Sequence, residues 1–309
     1  MTSPKIAEPD REGSDRGANS TGAIQTPAAI EKVQTRSART MDRPEWASGG
    51  IDIDRPSAAR VYDYWLGGSH NFAVDRELAR QVTAVVPDTA LIMQANRAFL
   101  HRAVNYLVGA GIRQFLDIGS GIPTLGNVHE VAQNAAPDAR VVYVDVDPVA
   151  VAHSRHILSG NDRAVAIQED LRRPEQILAH PDVTGLLDFR KPIGLLLLAV
   201  LHFVPDHDDP AGILARFVDA LAPGSYLTIS HGTADRISDE AVRHSLELFQ
   251  RTPTPFVSRS RTDVLRLLAG SELVEPGLVW TPLWRPEHPD DLDDHPERSA
   301  AYAGMGRIV

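Results

Sequence analysis

The 309-residue sequence contains no cysteine, which excludes disulfides, thiolate metal ligands and cysteine nucleophiles. Basic residues are scarce relative to acidic ones: 31 Lys and Arg stand against 41 Asp and Glu, giving a net charge of -10. This balance argues against a broad basic surface for nucleic acid or for an anionic membrane. The longest apolar run, Leu195 to Leu201, is far shorter than the roughly 20 residues that a transmembrane helix needs.

An apolar secretory stretch is also missing from the first residues, which carry charges and prolines instead. We therefore expect a cytoplasmic protein whose partner is a small molecule, with no nucleic acid or membrane partner. The histidines could suggest a metal site, and His207 with Asp206, Asp208 and Asp209 forms the densest group. Neither this group nor the cluster at 290–295 has the ligand spacing of a zinc or calcium site, so we predict a solvated turn with a helix cap and no metal.

The composition changes near residue 50. Residues 1–50 are rich in Ser, Thr, Ala, Pro, Gly and charge, and their isolated apolar residues follow no period, so a disordered tail is predicted. Such a tail is either a solvated extension or a docking arm. Residues 51–309 are predicted to form one domain, in which 51–110 contain three amphipathic helices that we interpret as a lid.

From residue 111 to 309, strand-like and helix-like segments alternate, as expected of a βαβ series. The predicted strands are Gln114–Ile118, Arg140–Asp145, Ala164–Gln168, Ile193–Ala199, Ser225–Ser230, Glu272–Glu275 and Leu278–Leu283. The predicted helices are Thr124–Ala136, Val149–Leu158, Pro174–His180, Ala211–Leu221, 238–251 and 262–269. This series predicts an α/β, Rossmann-like core with a mostly parallel sheet, helices on both faces, and ligands beyond the carboxyl ends of the strands.

The first predicted strand ends in Asp117-Ile118 and leads into Gly119-Ser120-Gly121. Two glycines allow a sharp turn and a close approach of a ligand to the backbone, although many strand-to-helix turns use glycine for geometry alone. Thr124 occupies the place of the third glycine of the dinucleotide fingerprint, which weakens a nicotinamide or flavin interpretation.

Acidic residues also follow the next two strands. Asp145 ends the second strand, and its ionised carboxylate could accept both hydroxyls of a ribose. Val146, the next residue, is a further candidate cofactor contact. Asp147, before Pro148, is better interpreted as a helix cap. Asp170 follows the third strand and could accept an adenine amino group, with Leu171 covering the ring; its alternative role is a surface carboxylate or a cap.

These residues carry a resemblance. The set Asp117 to Gly121, Asp145 and Asp170 resembles the cofactor motifs of class I S-adenosylmethionine-dependent methyltransferases. The stretches 59–68, 114–124 and 142–148 are similar to an actinobacterial family of S-adenosyl methyltransferases, and the resemblance covers about residues 51–309. It implies a seven-stranded sheet whose last strand is antiparallel. It also implies S-adenosylmethionine as cofactor, with the glycine turn beside its methionine part, Asp145 on the ribose and Asp170 near the adenine.

The sequence indicates less about the part of the site that would bind the methyl acceptor. His202, after the fourth strand, could act as a general base or could only pack beneath the pocket; His231, after the fifth strand, has a similar position. Arg60 and Asn71 in the predicted lid are further candidate cofactor contacts. We expect methyl transfer to a small-molecule acceptor; the alternatives are a non-catalytic S-adenosylmethionine-binding module and a nucleotide-linked oxidoreductase.

Overall fold

The computed structural model describes residues 52–123, 126–249, 252, 255–288 and 294–309; the predicted tail at 1–50 lies outside these ranges. The helices are α1 Ala58–Trp65, α2 Ala73–Val85, α3 Thr89–Gly109, α4 Val128–Ala135, α5 Pro148–Ile157, α6 Pro174–Ala179, α7 Pro181–Leu186, α8 Pro210–Asp219, α9 Asp239–Phe249 and α10 Arg261–Arg266. The strands are β1 Gln114–Ile118, β2 Arg140–Asp145, β3 Ala164–Gln168, β4 Gly194–Leu198, β5 Tyr226–Gly232, β6 Glu272–Leu273, β7 Val279–Trp280 and β8 Ala301–Arg307.

The sheet confirms the predicted Rossmann-like class. Seven strands follow the order β3-β2-β1-β4-β5-β8-β6, and the two-residue β7 also pairs with β8. Strands β1 to β5 are parallel, whereas β8 runs antiparallel to β5, β6 and β7. The carboxyl ends of β1, β2, β4 and β5 therefore meet at one edge, where the order of connections places ligands.

Helices cover both faces of this sheet. Successive side chains of a strand point to opposite faces, so each apolar strand contributes to the core on both sides. On one face, Leu116 and Leu195 pack with Phe217 of α8. On the other face, Phe115 and Leu196 pack with α3. Both faces of β1 and β4 are buried throughout, as expected of a parallel sheet covered on both sides.

The largest departure from the sequence prediction is β8, which no periodic pattern had indicated. Its residues are mostly small, and all but Arg307 are buried. A Cβ on Gly304 would lie 3.0 Å from the side chains of Leu268 and Leu278, and one on Gly306 would overlap Ser271. Only glycine fits at these two positions without a clash, so the β-branched residues that usually indicate a strand are missing.

Smaller differences occur at element ends. The predicted helix at Thr124–Ala136 begins only at Val128, where Asn127 and Glu130 form a capping box; Thr124 itself lies outside the described residues. The predicted strand Leu278–Leu283 is reduced to β7, because a 3₁₀ turn follows at Thr281–Leu283. No helix in the described part of the chain combines the length and the hydropathy needed to cross a membrane.

Between residue 52 and β1 the structure has three helices, as predicted, and α1 and α2 lie at the edge of the sheet where the strands end. A buried ion pair joins them: Arg60 Nε lies 2.9 Å from Asp75 Oδ2. The Asp75 carboxylate also accepts from the backbone N–H groups of Ser57 and Phe72, so this buried charge is fully paired. Phe72 in turn packs against Ile122, in the loop that follows β1.

Candidate functional site

The turn after β1 is built around two glycines in the left-handed region. Gly119 has φ 70° and Gly121 has φ 67°, conformations that cost L-residues energy. The N–H groups of Gly119 and Ser120 both donate to the carbonyl of Val144, at 2.8 and 3.1 Å. A Cβ on Gly119 would overlap the side chain of Val200, whereas the space beside Gly121 is open. The turn is thus anchored at Gly119 and accessible at Gly121.

Asp145, at the end of β2, is hydrogen-bonded to this turn. Its Oδ2 accepts from the N–H of Gly121 at 2.7 Å, and its Oδ1 accepts from the N–H of Asp147 at 2.8 Å. Burial raises the pKa of Asp145 to about 6, although these backbone N–H groups oppose the shift. Each oxygen keeps a second lone pair that a diol could use. The geometry therefore suits the predicted ribose contact, which stays a prediction.

Asp147 caps α5, as the sequence indicated. Its side chain accepts from the N–H of Val149 at 2.8 Å, and Pro148 occupies the first turn of the helix. The same carboxylate accepts from the hydroxyl of Ser57. The cap thus also ties the segment before α1 to the end of β2.

Asp117, on β1, is a second buried carboxyl beside the turn. Burial raises its pKa to about 7; the positive charge of Arg97 opposes the shift and the charge of Asp145 adds to it. Arg97 lies on α3, and its guanidinium donates to Asn127 at 3.3 Å. A carboxyl and a guanidinium thus interact beside the strand that leads into the glycine turn. Arg97 was not predicted from the sequence, because nothing in the pattern of α3 places it opposite β1.

The raised pKa values of Asp117 and Asp145 predict opposite pH trends for stability and for cofactor affinity. Because burial favours their protonated forms, their contribution to stability without cofactor is fully present below about pH 4. That contribution is lost as the pH rises through about 6 and 7. A ligand that needs the ionised forms should instead bind more tightly over the same rise, by up to about tenfold per pH unit and group.

Thermal unfolding and calorimetric titration with S-adenosylhomocysteine, each across this pH range, measure the two trends. A flat affinity between pH 5 and 7 would contradict the assignment of these carboxylates to the cofactor.

At the end of β3, Asp170 is engaged by Arg172, whose Nε lies 3.0 Å from both carboxylate oxygens. Partial burial would raise the pKa of Asp170, but the hydrogen bonds from Arg172 outweigh it and lower that pKa. Leu171 packs against the core beside it, while the side chain of Val146 is 54% exposed. The adenine contacts predicted for Asp170 and Leu171, and the cofactor contact predicted for Val146, remain predictions.

The predicted cofactor contacts of Arg60 and Asn71 also stay untested, but both side chains already have structural partners. Besides Asp75, Arg60 donates to the carbonyls of Asp52 and Arg55. Asn71 Nδ2 donates to the carboxylate of Asp63 and to the carbonyl of Gly68, both at 2.9 Å. These contacts hold α1 and the turn that follows it.

A cavity of about 140 Å³ lies at the ends of β4 and β5, under the N-terminal helices. Its wall is mostly apolar and includes Trp65, Ile92, Phe203, Phe249 and Phe256. The polar side chains in its described lining are hydroxyls, an amide, an indole and two histidines, with no Asp, Glu, Lys or Arg among them. Such a cavity suits an apolar, uncharged part of a ligand.

One chain of hydrogen bonds crosses this lining. The hydroxyl of Ser230 accepts from the N–H of Ala199 and donates to Asn96 Oδ1, at 2.9 and 2.5 Å. Asn96 Nδ2 donates in turn to the hydroxyl of Tyr62 at 3.0 Å. Among the described residues, the hydroxyl of Tyr62 donates one long bond of 3.4 Å, to the carbonyl of Met93. The end of this chain is therefore a phenol O–H that can donate to a ligand.

His202 also lines the cavity, but its lone pair is occupied. Nδ1 accepts from the N–H of Gly232 at 3.1 Å, so in the neutral ring Nε2 carries the proton. Burial, His231 and Arg259 lower the pKa of His202 well below 6.5. A general base needs a free lone pair. The geometry therefore disfavours the predicted general-base role and supports the alternative, a histidine that packs and donates.

His231 has the other tautomer. Its Nδ1 lies 2.7 Å from the carbonyl of Gly232, and its Nε2 accepts from Arg259 at 3.0 Å. Burial lowers the pKa of His231 to about 4. Arg259 donates further to the carbonyls of Leu201 and Val204, so it holds the loop after β4 against β5. His231 contributes to this anchoring.

We expect side-chain ¹⁵N NMR to show His202 as the neutral Nε2–H tautomer even at pH values somewhat below 6.5, because burial and neighbouring positive charge oppose protonation. A His202→Gln variant identifies its signals. An Nδ1–H tautomer, or titration near pH 6.5, would contradict the arrangement and restore the general-base hypothesis.

Within the described residues, no cluster of three His, Asp or Glu side chains could hold a metal ion. The group around His207 contains the predicted helix cap, since Asp209 accepts from the N–H of Gly212 at the start of α8.

Comparison with known proteins gives a family match over residues 44–309, to the model described as S-adenosyl methyltransferase. The chain belongs to this S-adenosyl methyltransferase family. It is similar to the crystal structure of a candidate methyltransferase from Thermobifida fusca, with 40% identity, a TM-score of 0.79, and coverage of 86% of this chain and 99% of that one. It is also similar to a DUF574 family protein from Streptomyces avermitilis, with 37% identity, a TM-score of 0.80, and coverage of 84% and 100%. No curated protein matches.

Family membership confirms the resemblance on which the sequence analysis relied, and the fold agrees with it. Both solved relatives are covered over nearly their whole length. Membership of the S-adenosyl methyltransferase family does not specify the acceptor, which has to be inferred from the cavity.

Proposed function

We propose that this chain transfers the methyl group of S-adenosylmethionine to a small acceptor whose reacting end is apolar and uncharged. One observation carries the proposal: Ala199 lines the cavity, while its neighbour Val200 packs directly on Gly119 of the glycine turn. The glycine turn and the cavity therefore lie next to each other, separated by the adjacent residues Ala199 and Val200. This adjacency supports direct transfer between two bound molecules.

The cofactor would lie along the ends of β1, β2 and β3. Asp145 would accept from the ribose hydroxyls, and Val146 with Leu171 would contact the adenine. Asp117 has the charge that suits the methionine ammonium group, and Arg97 the charge that suits its carboxylate. When bound, the cofactor supplies an electrophilic methyl group on a positively charged sulfur.

The protein would then have to position the acceptor. In-line attack would form the bond from the acceptor to the methyl carbon while the carbon–sulfur bond broke and its electron pair returned to sulfur. The cofactor would leave as the neutral sulfide, and the proton of the acceptor would pass to solvent. Orientation can supply most of the barrier reduction. Tyr62 is the candidate positioning group, since burial raises its pKa and keeps it a donor.

The proposal is tested by incubating the protein with S-adenosylmethionine and a panel of single-ring phenols and indoles, and measuring S-adenosylhomocysteine. Acceptor-dependent formation, reduced in a Tyr62→Phe variant, is expected. Tight cofactor binding without transfer to any member of the panel would favour the alternative of a non-catalytic binding module.

A further inference from the structure

A second, larger chamber of about 600 Å³ lies against the apolar cavity. Four residues line both spaces: Val86, Ile92, Ile237 and Ala300. They form an apolar boundary, beyond which the lining becomes charged. A ligand held in the inner cavity would thus find a polar space next to it.

The described charges of this outer chamber are Asp88, Arg236, Glu297 and Arg298. Two of the four are paired with each other, since Arg298 Nη2 lies 2.7 Å from Asp88 Oδ1. The carboxylate of Glu297 lies 3.1 Å from Nδ1 of His295. Asp88 therefore has an arginine partner, and Glu297 has a histidine partner that is charged only if protonated. The charge of Arg236 also acts on the Glu297 carboxylate, although the two form no ion pair.

Arg236 differs from the other charges. It is exposed and lies in a turn with φ 74°, and it forms no ion pair within the described part of the chain. The neighbouring carboxylate of Asp235 accepts from the hydroxyl of Tyr302 at 2.8 Å. Tyr302 stacks on Trp280, with ring centroids 4.2 Å apart, and Trp280 lines the chamber. The chamber thus offers an aromatic side chain and one unpaired positive charge.

We propose that the acceptor is an aromatic compound with an anionic side arm, whose ring occupies the inner cavity and whose arm reaches Arg236. The inference rests on the proposed function and specifies its substrate class. The size of the inner cavity supports a single ring, because an apolar cavity of roughly 150 Å³ accommodates benzene. The charged side chains of the lining balance in sign, but among the described ones Arg236 has no ion pair, so an anionic arm gains a partner there that a cationic or neutral arm does not.

The experiment is calorimetric titration of the protein, first with S-adenosylhomocysteine and then with three probes that share a phenol ring. The probes are para-hydroxyphenylpropanoate, its neutral amide and tyramine, which is cationic. The unmodified protein should bind the carboxylate roughly three- to fivefold more tightly than the amide, the range of an exposed ion pair. Arg236→Gln should remove this preference without weakening the amide, and Arg236→Glu should shift the preference to tyramine.

Arg190→Gln is the matched control, since Arg190 is 90% exposed, away from both spaces, and this change should leave all three affinities unaltered. If the three probes bind equally, or none binds once S-adenosylhomocysteine is bound, the inference is overturned while the proposed cofactor stands. If S-adenosylhomocysteine itself does not bind, the proposed function fails first, and the substrate inference falls with it.

Discussion

Gly119→Ala should destabilise the protein by about 2–5 kcal/mol. The left-handed φ of 70° costs an alanine about 1–2 kcal/mol. The added Cβ would also lie 2.7 Å from Val200 Cβ, closer still to one of its methyl groups, and overpacking of this kind costs about 1–3 kcal/mol. Urea unfolding monitored by circular dichroism measures the change, which is a large fraction of a typical stability.

Gly121→Ala is the matched comparison. Its φ is nearly the same, 67°, but no atom lies within 4 Å of the added Cβ, so only the backbone cost of about 1–2 kcal/mol is expected. The open space beside Gly121 is where the cofactor should approach, so this variant should fold and bind S-adenosylhomocysteine more weakly. Equal destabilisation by the two substitutions would show that the packing of Val200 on the turn is wrong.

Asp145→Ala should weaken binding of S-adenosylhomocysteine by about 1.5–3 kcal/mol, or roughly 10- to 100-fold. The substitution removes the acceptor proposed for the ribose. It also leaves the N–H groups of Gly121 and Asp147 without their present partner, so the shape of the turn is lost as well. Both effects act in the same direction on affinity.

Asp138→Ala provides the control, because this aspartate lies just before the opposite end of β2 and is 73% exposed. It should leave affinity unchanged. Unaltered affinity in a folded Asp145→Ala variant would remove Asp145 from the cofactor site and with it the orientation proposed for the ligand.

The parallel half of the sheet could be predicted from the sequence because its strands are continuous apolar runs separated by helical patterns. The bounds of β1, β2 and β3 agree with those predicted. Strand β8 could not be predicted, because its glycines are required by close contacts with Leu268, Leu278 and Ser271, which are not their neighbours in sequence. The strand propensity of the local sequence does not reflect such contacts.

The residues of the candidate site also divide into those that the sequence predicts and those that it does not. The glycine turn and Asp145 are recognisable because each directly follows a strand, and parallel strands end at one edge. The link from Tyr62 through Asn96 to Ser230 joins residues up to 134 positions apart in a single bond, which no local pattern can show. Likewise, the position of His202 was predicted, but the occupation of its lone pair by Gly232 depends on the packing of β5 against the loop after β4.

We propose that this chain binds S-adenosylmethionine at the ends of β1 and β2. The decisive experiment is calorimetric titration of the purified protein with S-adenosylhomocysteine and, in parallel, with NADH. We expect micromolar binding of S-adenosylhomocysteine, weakened by Asp145→Ala and not by Asp138→Ala, and no binding of NADH. Binding of NADH alone would rule out this cofactor and favour an oxidoreductase on the same sheet.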